Sequence, residues 1–298
     1  MRIEQAVADR LHLAREFSGC RLDCSHGFEV IKSHILNFYD EVRVHDKESL
    51  STLKPEDLYA LYRDLDEVAH LEVGDRLAGL ILEDVEIKRA LHTIRSCYSA
   101  FFDYHEIHLA RDLLNSQSPW SALKSFPLYP RYRALIKNQV KAANLSLGDT
   151  LAFLGCGPLP ITSILLGRIY GIGSVGLDSD PRAIEIAREC VKHLHLEDRV
   201  SIVEGDESGL EGIEWDVVLV AALAEPKKRI FQEIRSVLRK RGPRKVCYRT
   251  YSGMRAVLYR PVQPGDVEGF RKVREIAPRG KVNNTIVVLE LKEDGRDI

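Results

Sequence analysis

The sequence predicts an α/β protein in which an all-α helical bundle precedes a doubly wound parallel sheet. Up to about Asn115, apolar residues recur at intervals of three and four, which is the period of amphipathic helices. From Thr150 onward, short apolar runs alternate with helical patterns at the spacing of a parallel sheet. The 298 residues are enough for two cores. We therefore expect a helical domain over residues 1–120 and a sheet domain over residues 121–298.

Composition restricts the classes of partner. A formal net charge of −1 provides no bulk basic field, so nucleic acid is not an expected partner. No apolar run approaches the roughly 20 residues of a membrane-spanning helix, and the first residues do not resemble a secretory signal. We expect a cytoplasmic protein without a membrane partner. The six cysteines are scattered, which favours reduced thiols over a disulfide framework.

Two clusters suggest metal ligands, and neither supports a metal site. Cys20, Cys24 and His26 have the spacing of half a site, but no second Cys/His pair matches them. The string His105-Glu106-Ile107-His108 carries its histidines three residues apart, whereas the helical zinc motif places them four apart. The sequence predicts no metal ligands and no metal requirement.

Helix boundaries in the first half follow from a few local signals. Pro55-Glu56-Asp57 indicates a helix start, with proline in the first turn and carboxylates near the positive end of the dipole. Breaks are predicted at Ser25-His26-Gly27 and at Val73-Gly74, and a long amphipathic pattern predicts a helix over residues 80–115.

The segment from residue 125 to residue 132 predicts a stiff connector rich in proline and aromatic residues. A segment that merely joined two domains would be richer in Gly and Ser or plainly polar. We expect this rigid, aromatic and basic connector to line a cleft and to lead into a helix over residues 132–144.

Strands and helices then alternate to the end of the chain. Predicted strands cover residues 150–154, 174–178, 200–203, 217–220 and 245–250. Predicted helices cover residues 161–170, 181–193 and 225–239. Residues 256–259 and 285–291 are expected to form a closing antiparallel hairpin.

The turn after the first strand predicts a ligand site. Four apolar residues lead into Gly155 and Gly157, which permit a tight turn and the close approach of a ligand to the backbone. Pro158 and Pro160 mark the entrance of the next helix, where free backbone amides face a polar ligand. This is the first βα unit of a nucleotide-binding Rossmann domain.

Two carboxylates restrict the class of ligand that this turn can bind. Asp178, at the end of the second strand, is placed to accept from both hydroxyls of a ribose, and Asp206, after the third, from an adenine amino group. Leu159 and Pro160 occupy the region where an NAD fingerprint requires a third glycine. Either carboxylate alone would more often be a cap or turn residue. Together with the turn they favour S-adenosylmethionine and a class I methyltransferase-like sheet.

The segment after the fourth strand argues against ordinary amine methylation. Amino-group methyltransferases often present Asn/Asp-Pro-Pro-aromatic there, whereas this chain has Ala221-Ala222-Leu223-Ala224-Glu225-Pro226. A reaction other than N-methylation is therefore considered.

Several unusual strings occur together and in order along the chain. They are Ser118-Pro119-Trp120, Tyr129-Pro130-Arg131-Tyr132, Leu154-Gly155-Cys156-Gly157-Pro158-Leu159-Pro160, the segment 221–226, Tyr248-Arg249-Thr250-Tyr251-Ser252-Gly253-Met254-Arg255 and Gly280-Lys281-Val282-Asn283-Asn284-Thr285. With them the sequence resembles the nicotianamine synthase family, especially its archaeal branch, from about Leu80 to Leu291.

The resemblance implies transfer of a 3-amino-3-carboxypropyl group from S-adenosylmethionine, the donor, to an amine, with release of methylthioadenosine. Plant members close an azetidine ring, archaeal members build an open product on glutamate, and bacterial relatives transfer once to histidine for a metallophore. The resemblance implies an amine acceptor, which is another S-adenosylmethionine-derived unit, glutamate or a similar small amino acid, and an acyclic, nicotianamine-like metal chelator as product.

This chemistry needs orientation of the donor and a base for the ammonium nucleophile. Glu106 and Tyr132 match the family's catalytic glutamate and tyrosine. Without that match, a glutamate on a helix is usually solvated and a tyrosine beside prolines usually packs. Cys156 is expected to pack within the turn rather than to react.

The remaining site residues form two groups. The residues expected to hold the donor are Gly155, Gly157, Pro158, Leu159, Asp178, Asp206, Glu207 and Ala222. The residues expected to contact the acceptor are Tyr129, Arg131, Arg249 and Asn283. Arg131 is a candidate for binding a substrate carboxylate, with a surface ion pair as the equal alternative. Arg249 and Asn283 have no assigned role.

Two other functions stay open. One is S-adenosylmethionine-dependent methylation of a small amine, and the other is a metal or cofactor carrier without turnover. The sequence does not determine the acceptor, the number of transfers or ring closure, and a homodimer is one expectation for the oligomeric state.

Overall fold

A computed structural model describes residues 25–45 and 47–292. The chain forms two compact units. One contains the described residues up to Tyr98 together with Gly253–Leu258, and the other contains Ser99–Ser252 and the chain from Tyr259 onward. The predicted domain boundary at residue 120 stays a prediction. Cys20 and Cys24 of the first suggested metal cluster lie outside the described residues, as does the side chain of His26.

The first unit is helical, as predicted. Its described helices are α1 (Ser25–Val42), α2 (Lys47–Thr52), α3 (Pro55–Ala69), α4 (Asp75–Glu83) and the first part of α5 (Val85–Asn115). Fully buried aliphatic side chains form its core, among them Ile31, Ile35, Leu65, Ile81, Ile87 and Ile94. The predicted start at Pro55 and the break at Gly74 are confirmed.

The single helix predicted over residues 80–115 is wrong at its beginning. Asp84 separates α4 from α5, because its carboxylate Oδ1 accepts from the amides of Glu86 and Ile87 at 2.9 and 3.2 Å. An aspartate that caps the following turn begins a new helix at that point. The apolar period continues across the break, which is why the pattern predicted one helix.

The second unit is built on a seven-stranded sheet, and it confirms the predicted doubly wound fold. The strands are β1 (Thr150–Leu154), β2 (Gly173–Asp178), β3 (Val200–Glu204), β4 (Val217–Val220), β5 (Lys245–Thr250), β6 (Phe270–Ile276) and β7 (Thr285–Leu291). Their order is β3-β2-β1-β4-β5-β7-β6. Strands β1 to β5 are parallel, and β7 is antiparallel to both of its neighbours.

The prediction of a first hairpin strand over residues 256–259 is wrong. Residues 256–259 belong to no strand, because a tight helical turn covers Gly253–Val257. The strand that closes the sheet is β6, which pairs with β7. Its residues from Arg271 to Glu275 are all exposed and mostly charged, so it has no apolar alternation that would predict a strand.

Three of the four helices predicted for the second unit begin within two residues of their predicted starts, and a helix over Pro119–Ser125 was not predicted. After α5 the helices are α6 (Pro119–Ser125), α7 (Tyr129–Ala143), α8 (Ile161–Leu165), α9 (Pro181–His193) and α10 (Lys227–Arg241), and α8 continues as a wider turn over Leu166–Tyr170. The second half of the predicted connector is helical, because α7 begins at Tyr129 and tolerates Pro130 in its first turn. Arg131 and Tyr132 therefore lie on a helix.

The two faces of the sheet have different coverings. On one face, Val246 and Tyr248 of β5 pack in a core with Phe231 of α10. Because side chains alternate along a strand, Cys247 and Arg249 point to the opposite face. Helix α7 packs on that face through β6 and β7.

Candidate active site

Five predicted site segments meet at one edge of the sheet. The glycine turn follows β1, Asp206 follows β3 and Ala222 follows β4. Asp178 is the last residue of β2, and Arg249 is the last but one of β5. The strand order reverses between β1 and β4, which are neighbours in the sheet. Ligands of open α/β sheets bind outside the carboxyl ends of the strands at such a reversal.

The glycine turn is held by the end of β2. Gly155 and Gly157 have φ angles of +77° and +67°, a conformation that side chains other than glycine adopt rarely. The carboxylate of Asp178 accepts from the amide of Gly157 at 2.9 Å and from that of Asp180 at 3.1 Å. Asp178 thus ties the turn to the start of α9. Pro160 precedes the first residue of α8 rather than lying inside the helix.

Glu106 lies directly against this turn. Its Oε2 atom is 2.8 Å from the position that a Cβ atom on Gly157 would occupy. Its side chain is half-buried. Burial raises the pKa of the Glu106 carboxyl to about 8, and the neighbouring carboxylates of Asp103 and Asp178 add to that rise. Asp103, one helical turn before Glu106, was not among the predicted site residues. Its spacing of three residues from Glu106 on the same helix is the one sequence signal that could have predicted it.

Such a carboxyl group is suited to proton transfer from an amine. It holds its proton at neutral pH in the free protein, and a cationic ligand beside it would favour the ionised form. A base whose pKa lies near the working pH combines a useful ionised fraction with a useful proton affinity.

Tyr132 ends a row of aromatic rings. Its ring centroid lies 6.0 Å from that of Phe126, which lies 4.6 Å from the ring of His105. The His105 ring stacks on Phe101 at 4.9 Å. Burial lowers the pKa of His105 to about 4, with a further lowering by His108, so His105 is neutral at physiological pH. The row joins the helix that carries Glu106 to the helix that carries Tyr132.

Two arginines lie in the region predicted for the acceptor. Arg131 Nη1 donates to the Oδ1 atom of Asn283 at 3.2 Å, and Asn283 is buried. Arg249 is buried as well, and its guanidinium carbon lies 5.5 Å from the ring centroid of Phe153. Burial lowers the pKa of Arg249 to about 10. Tyr129, the first residue of α7, is half-buried.

Asp206 and Glu207 are already engaged within the protein. Asp206 Oδ1 accepts from the amide and the hydroxyl of Ser208 at 3.0 and 2.6 Å, and these bonds lower its pKa. Buried Glu207 pairs with Arg229 at 2.7 Å. Their predicted contacts to the donor stay predictions.

The loop after β4 is anchored by Lys227, a residue that was not predicted. Its buried Nζ atom donates to the carbonyl oxygen of Ala222 at 3.0 Å and to that of Ala224. Burial lowers the pKa of Lys227 to about 8. A Cβ atom on Gly155 would lie 3.0 Å from the Cβ atom of Ala224, so this loop packs on the glycine turn. A lysine in the first turn of an amphipathic helix looks solvated in sequence, which is why it was missed.

Three further residues of the turn are half-buried or buried. Pro158 is half-buried, and Leu159 is buried, so its side chain belongs to the core. Cys156 is buried, and burial raises the pKa of its thiol, which leaves it protonated.

Neither a metal centre nor a membrane span is found within residues 25–45 and 47–292. No group of three or more His, Cys, Asp or Glu side chains there could hold a metal ion. None of the helices in those ranges has the length and apolar character needed to cross a bilayer.

The family model described as "Nicotianamine synthase protein" matches residues 24–295. The chain belongs to the nicotianamine synthase family. This confirms the family inferred from the unusual strings. The match covers the elements that carry the glycine turn, Glu106 and Tyr132.

Two curated relatives and one solved structure are also similar to the chain. "Probable nicotianamine synthase 4" of Arabidopsis thaliana is 28% identical over 284 residues, covering 89% of this chain and 84% of the relative. The L-histidine 2-aminobutanoyltransferase of Pseudomonas aeruginosa is 29% identical over 142 residues, 47% of this chain and 53% of that protein. The crystal structure of MtNAS in complex with MTA and tNA is 34% identical with a TM-score of 0.82, covering 91% of this chain and all of that one.

Proposed function

We propose that this protein transfers a 3-amino-3-carboxypropyl group from S-adenosylmethionine to an amine and releases methylthioadenosine. Membership of the nicotianamine synthase family supports the reaction class. The observation that carries the proposal is the Glu106 carboxyl group beside the glycine turn, with a pKa raised to about 8.

The donor binds, in this proposal, at the carboxyl edge of the sheet. The backbone of residues 155–159 and the Ala222 segment lie on two sides of it. Each oxygen of the Asp178 carboxylate accepts one backbone amide, and each keeps a second lone pair for a ribose hydroxyl. Asp206 and Glu207 lie at the end of the neighbouring β3, where the adenine would be held.

The reaction is a substitution at the γ-carbon of the methionine portion. The amine nitrogen forms a bond to that carbon, the carbon–sulfur bond breaks, and its electron pair leaves on sulfur as neutral methylthioadenosine. Before the attack, the ionised form of the Glu106 carboxylate accepts a proton from the acceptor's ammonium group, which frees the nitrogen lone pair. The hydroxyl of Tyr132 is proposed to hold the amine in line, because the methyl group on the same sulfonium competes for it and only orientation selects between them.

The acceptor is proposed to be a small amino acid, bound near Tyr129, Arg131, Arg249 and Asn283. The product would be an acyclic, nicotianamine-like metal chelator, and the cell compartment the cytoplasm of an archaeon. We also propose that residues 1–120 act as a helical domain. The resemblance described above supports these finer statements.

The test is a product analysis of the purified protein. It is incubated with S-adenosylmethionine and glutamate, histidine or no acceptor, and the products are weighed. Each transfer adds about 101 mass units from the formula of the group, and each methylation adds about 14. Glu106→Gln should lower product formation by at least roughly 100-fold, whereas Glu185→Gln, on the exposed side of α9, should not.

Each alternative gives a distinct result. Formation of S-adenosylhomocysteine in place of methylthioadenosine would contradict the proposal and favour a small-amine methyltransferase. An absence of turnover with every acceptor, together with a stoichiometric metal content, would favour a carrier.

A further inference from the structure

Arg249 is a charged side chain in an unusual place. It is the residue before the last one of β5, at the carboxyl edge of the sheet. It is only 6% exposed and lies over the ring of Phe153 on the face that α7 covers. Burying a guanidinium group away from water costs free energy unless an anion or hydrogen-bond acceptors compensate it.

The compensation on one side of this guanidinium is missing. Among the residues that the structure describes, the Nε and Nη2 atoms of Arg249 have no hydrogen-bond partner. These two nitrogens lie on the same edge of the planar group, and their N–H bonds are parallel. Two parallel donors match the two oxygens of a carboxylate in a bidentate pair.

The groups close to Arg249 are not carboxylates. Burial lowers its pKa, and the groups that partly offset this effect are Tyr132, Tyr251 and Cys247. The first two side chains are phenols and the third is a thiol, so none of them supplies a carboxylate. Among the described residues, Arg249 is therefore a buried cation without a carboxylate partner, and it lies close to a tyrosine that matches the family's catalytic residue.

A second donor lies just before the neighbouring strand, β7. Asn284 is 8% exposed, and its Nδ2 atom also has no partner among the described residues. It precedes β7, where Ile286, two residues further on, pairs with Arg249 across the ladder. Two buried and unsatisfied donor groups, one on β5 and one just before β7, indicate an acceptor that the protein itself does not supply.

We propose that Arg249 binds the carboxylate of an amino-acid moiety through Nε and Nη2, with Asn284 as an additional donor. The inference rests on the proposed function, since both S-adenosylmethionine and the amino-acid acceptor carry such a carboxylate. It differs from the expectation for Arg131, whose Nη1 donates to Asn283. Arg249 is a substrate-binding residue in this proposal, and its guanidinium orients the amino-acid portion beside Tyr132.

Titration calorimetry tests the inference without requiring turnover. The probes are S-adenosylmethionine, methylthioadenosine, which lacks the amino-acid portion, and L-glutamate added in the presence of methylthioadenosine. The variants are Arg249→Gln and Arg249→Lys, with Arg271→Gln on the exposed face of β6 as the matched control. Thermal unfolding checks folding, and Arg249→Gln should melt at or above the wild-type temperature because it removes a buried charge.

The expected result is a loss of affinity of roughly 10- to 100-fold for one carboxylate-bearing probe, with methylthioadenosine binding unchanged. Loss for S-adenosylmethionine assigns the donor carboxylate, and loss for L-glutamate assigns that of the acceptor. Arg249→Lys should keep the charge but recover only part of the affinity, because an ammonium group lacks the planar fork. Equal losses for S-adenosylmethionine and methylthioadenosine, or no loss for any probe, would overturn the inference. A wild-type protein that binds the probes but releases no methylthioadenosine would contradict the proposed function alone.

Discussion

The Oε2 atom of Glu106 lies 2.8 Å from the point that a Cβ atom on Gly157 would occupy. The backbone amide of Gly157 donates to Asp178. The glycine is thus next to two carboxyl groups, one from α5 and one from the end of β2. The absence of a side chain at residue 157 is what lets the Glu106 carboxyl reach the turn proposed to hold the donor.

Gly157→Ala is expected to reduce activity more than stability. The positive φ of this residue costs about 1–2 kcal/mol for alanine. The new methyl group also displaces the Glu106 carboxylate, so kcat/KM should fall at least about 10-fold. Steady-state release of methylthioadenosine and urea unfolding measure the two effects. Gly148→Ala is the control, because Gly148 has φ +95° but open space around it, so stability alone should fall. Equal activity of Gly157→Ala and wild type would contradict the expectation.

Glu106→Gln is expected to stabilise the protein progressively as the pH rises. The folded pKa of about 8 exceeds the ordinary value of 4.5, so between these values the unfolded chain loses a proton that the folded chain keeps. Wild-type stability therefore falls through this window, whereas the amide does not titrate. The difference in melting temperature should be near zero at pH 4 and reach roughly 2 °C or more at pH 8. A difference independent of pH would argue against the raised pKa, and Glu185→Gln should show none.

The pH dependence of the reaction should report the same group. If Glu106 accepts the proton, kcat/KM rises with pH through about 8 in the free enzyme. Glu106→Gln should lower kcat/KM by roughly 100- to 10,000-fold and remove this limb. Methylthioadenosine release between pH 5.5 and about 9.5 is the measurement. Survival of the limb in the variant would assign it to a different residue.

Lys227→Met is expected to weaken donor binding through the loop after β4. The variant removes the donor for the carbonyls of Ala222 and Ala224, which leaves half-buried acceptors unsatisfied and costs about 1–3 kcal/mol. The loop packs on Gly155, so the affinity for S-adenosylmethionine should fall, by roughly 10-fold. Calorimetry and thermal unfolding measure both effects. Lys228→Met, at the exposed neighbouring residue, is the control. Its free energy of unfolding should stay within about 0.5 kcal/mol of wild type.

Tyr132→Phe is expected to separate the hydroxyl group from the ring. The ring keeps its packing on Phe126, so the melting temperature should change little. Loss of the hydroxyl should lower kcat by roughly 10- to 100-fold, since one oriented hydrogen bond is removed. Tyr39→Phe in α1 is the control and should leave kcat unchanged. An unaltered kcat in Tyr132→Phe would show that the phenol only packs.

The elements that sequence predicted well have strong local patterns. The bounds of β1, β4, β5 and β7 are the predicted ones, because each is a short apolar or alternating run between turn residues. The exposed and charged β6 lacks such a pattern and was missed. Asp84 was missed for a related reason, since its side chain begins a new helix without interrupting the apolar period.

By itself, the sequence determined the fold class, the glycine turn and the family, because these depend on residues close together in the chain. Only the tertiary structure decided that the Glu106 carboxyl meets Gly157, that Lys227 holds the loop after β4, and that one edge of the Arg249 guanidinium is unsatisfied. Periodicity reports which face of an element is apolar, but not which distant side chain lies opposite it. Packing of helices on the sheet sets those contacts, and burial then shifts the pKa values on which the proposed chemistry depends.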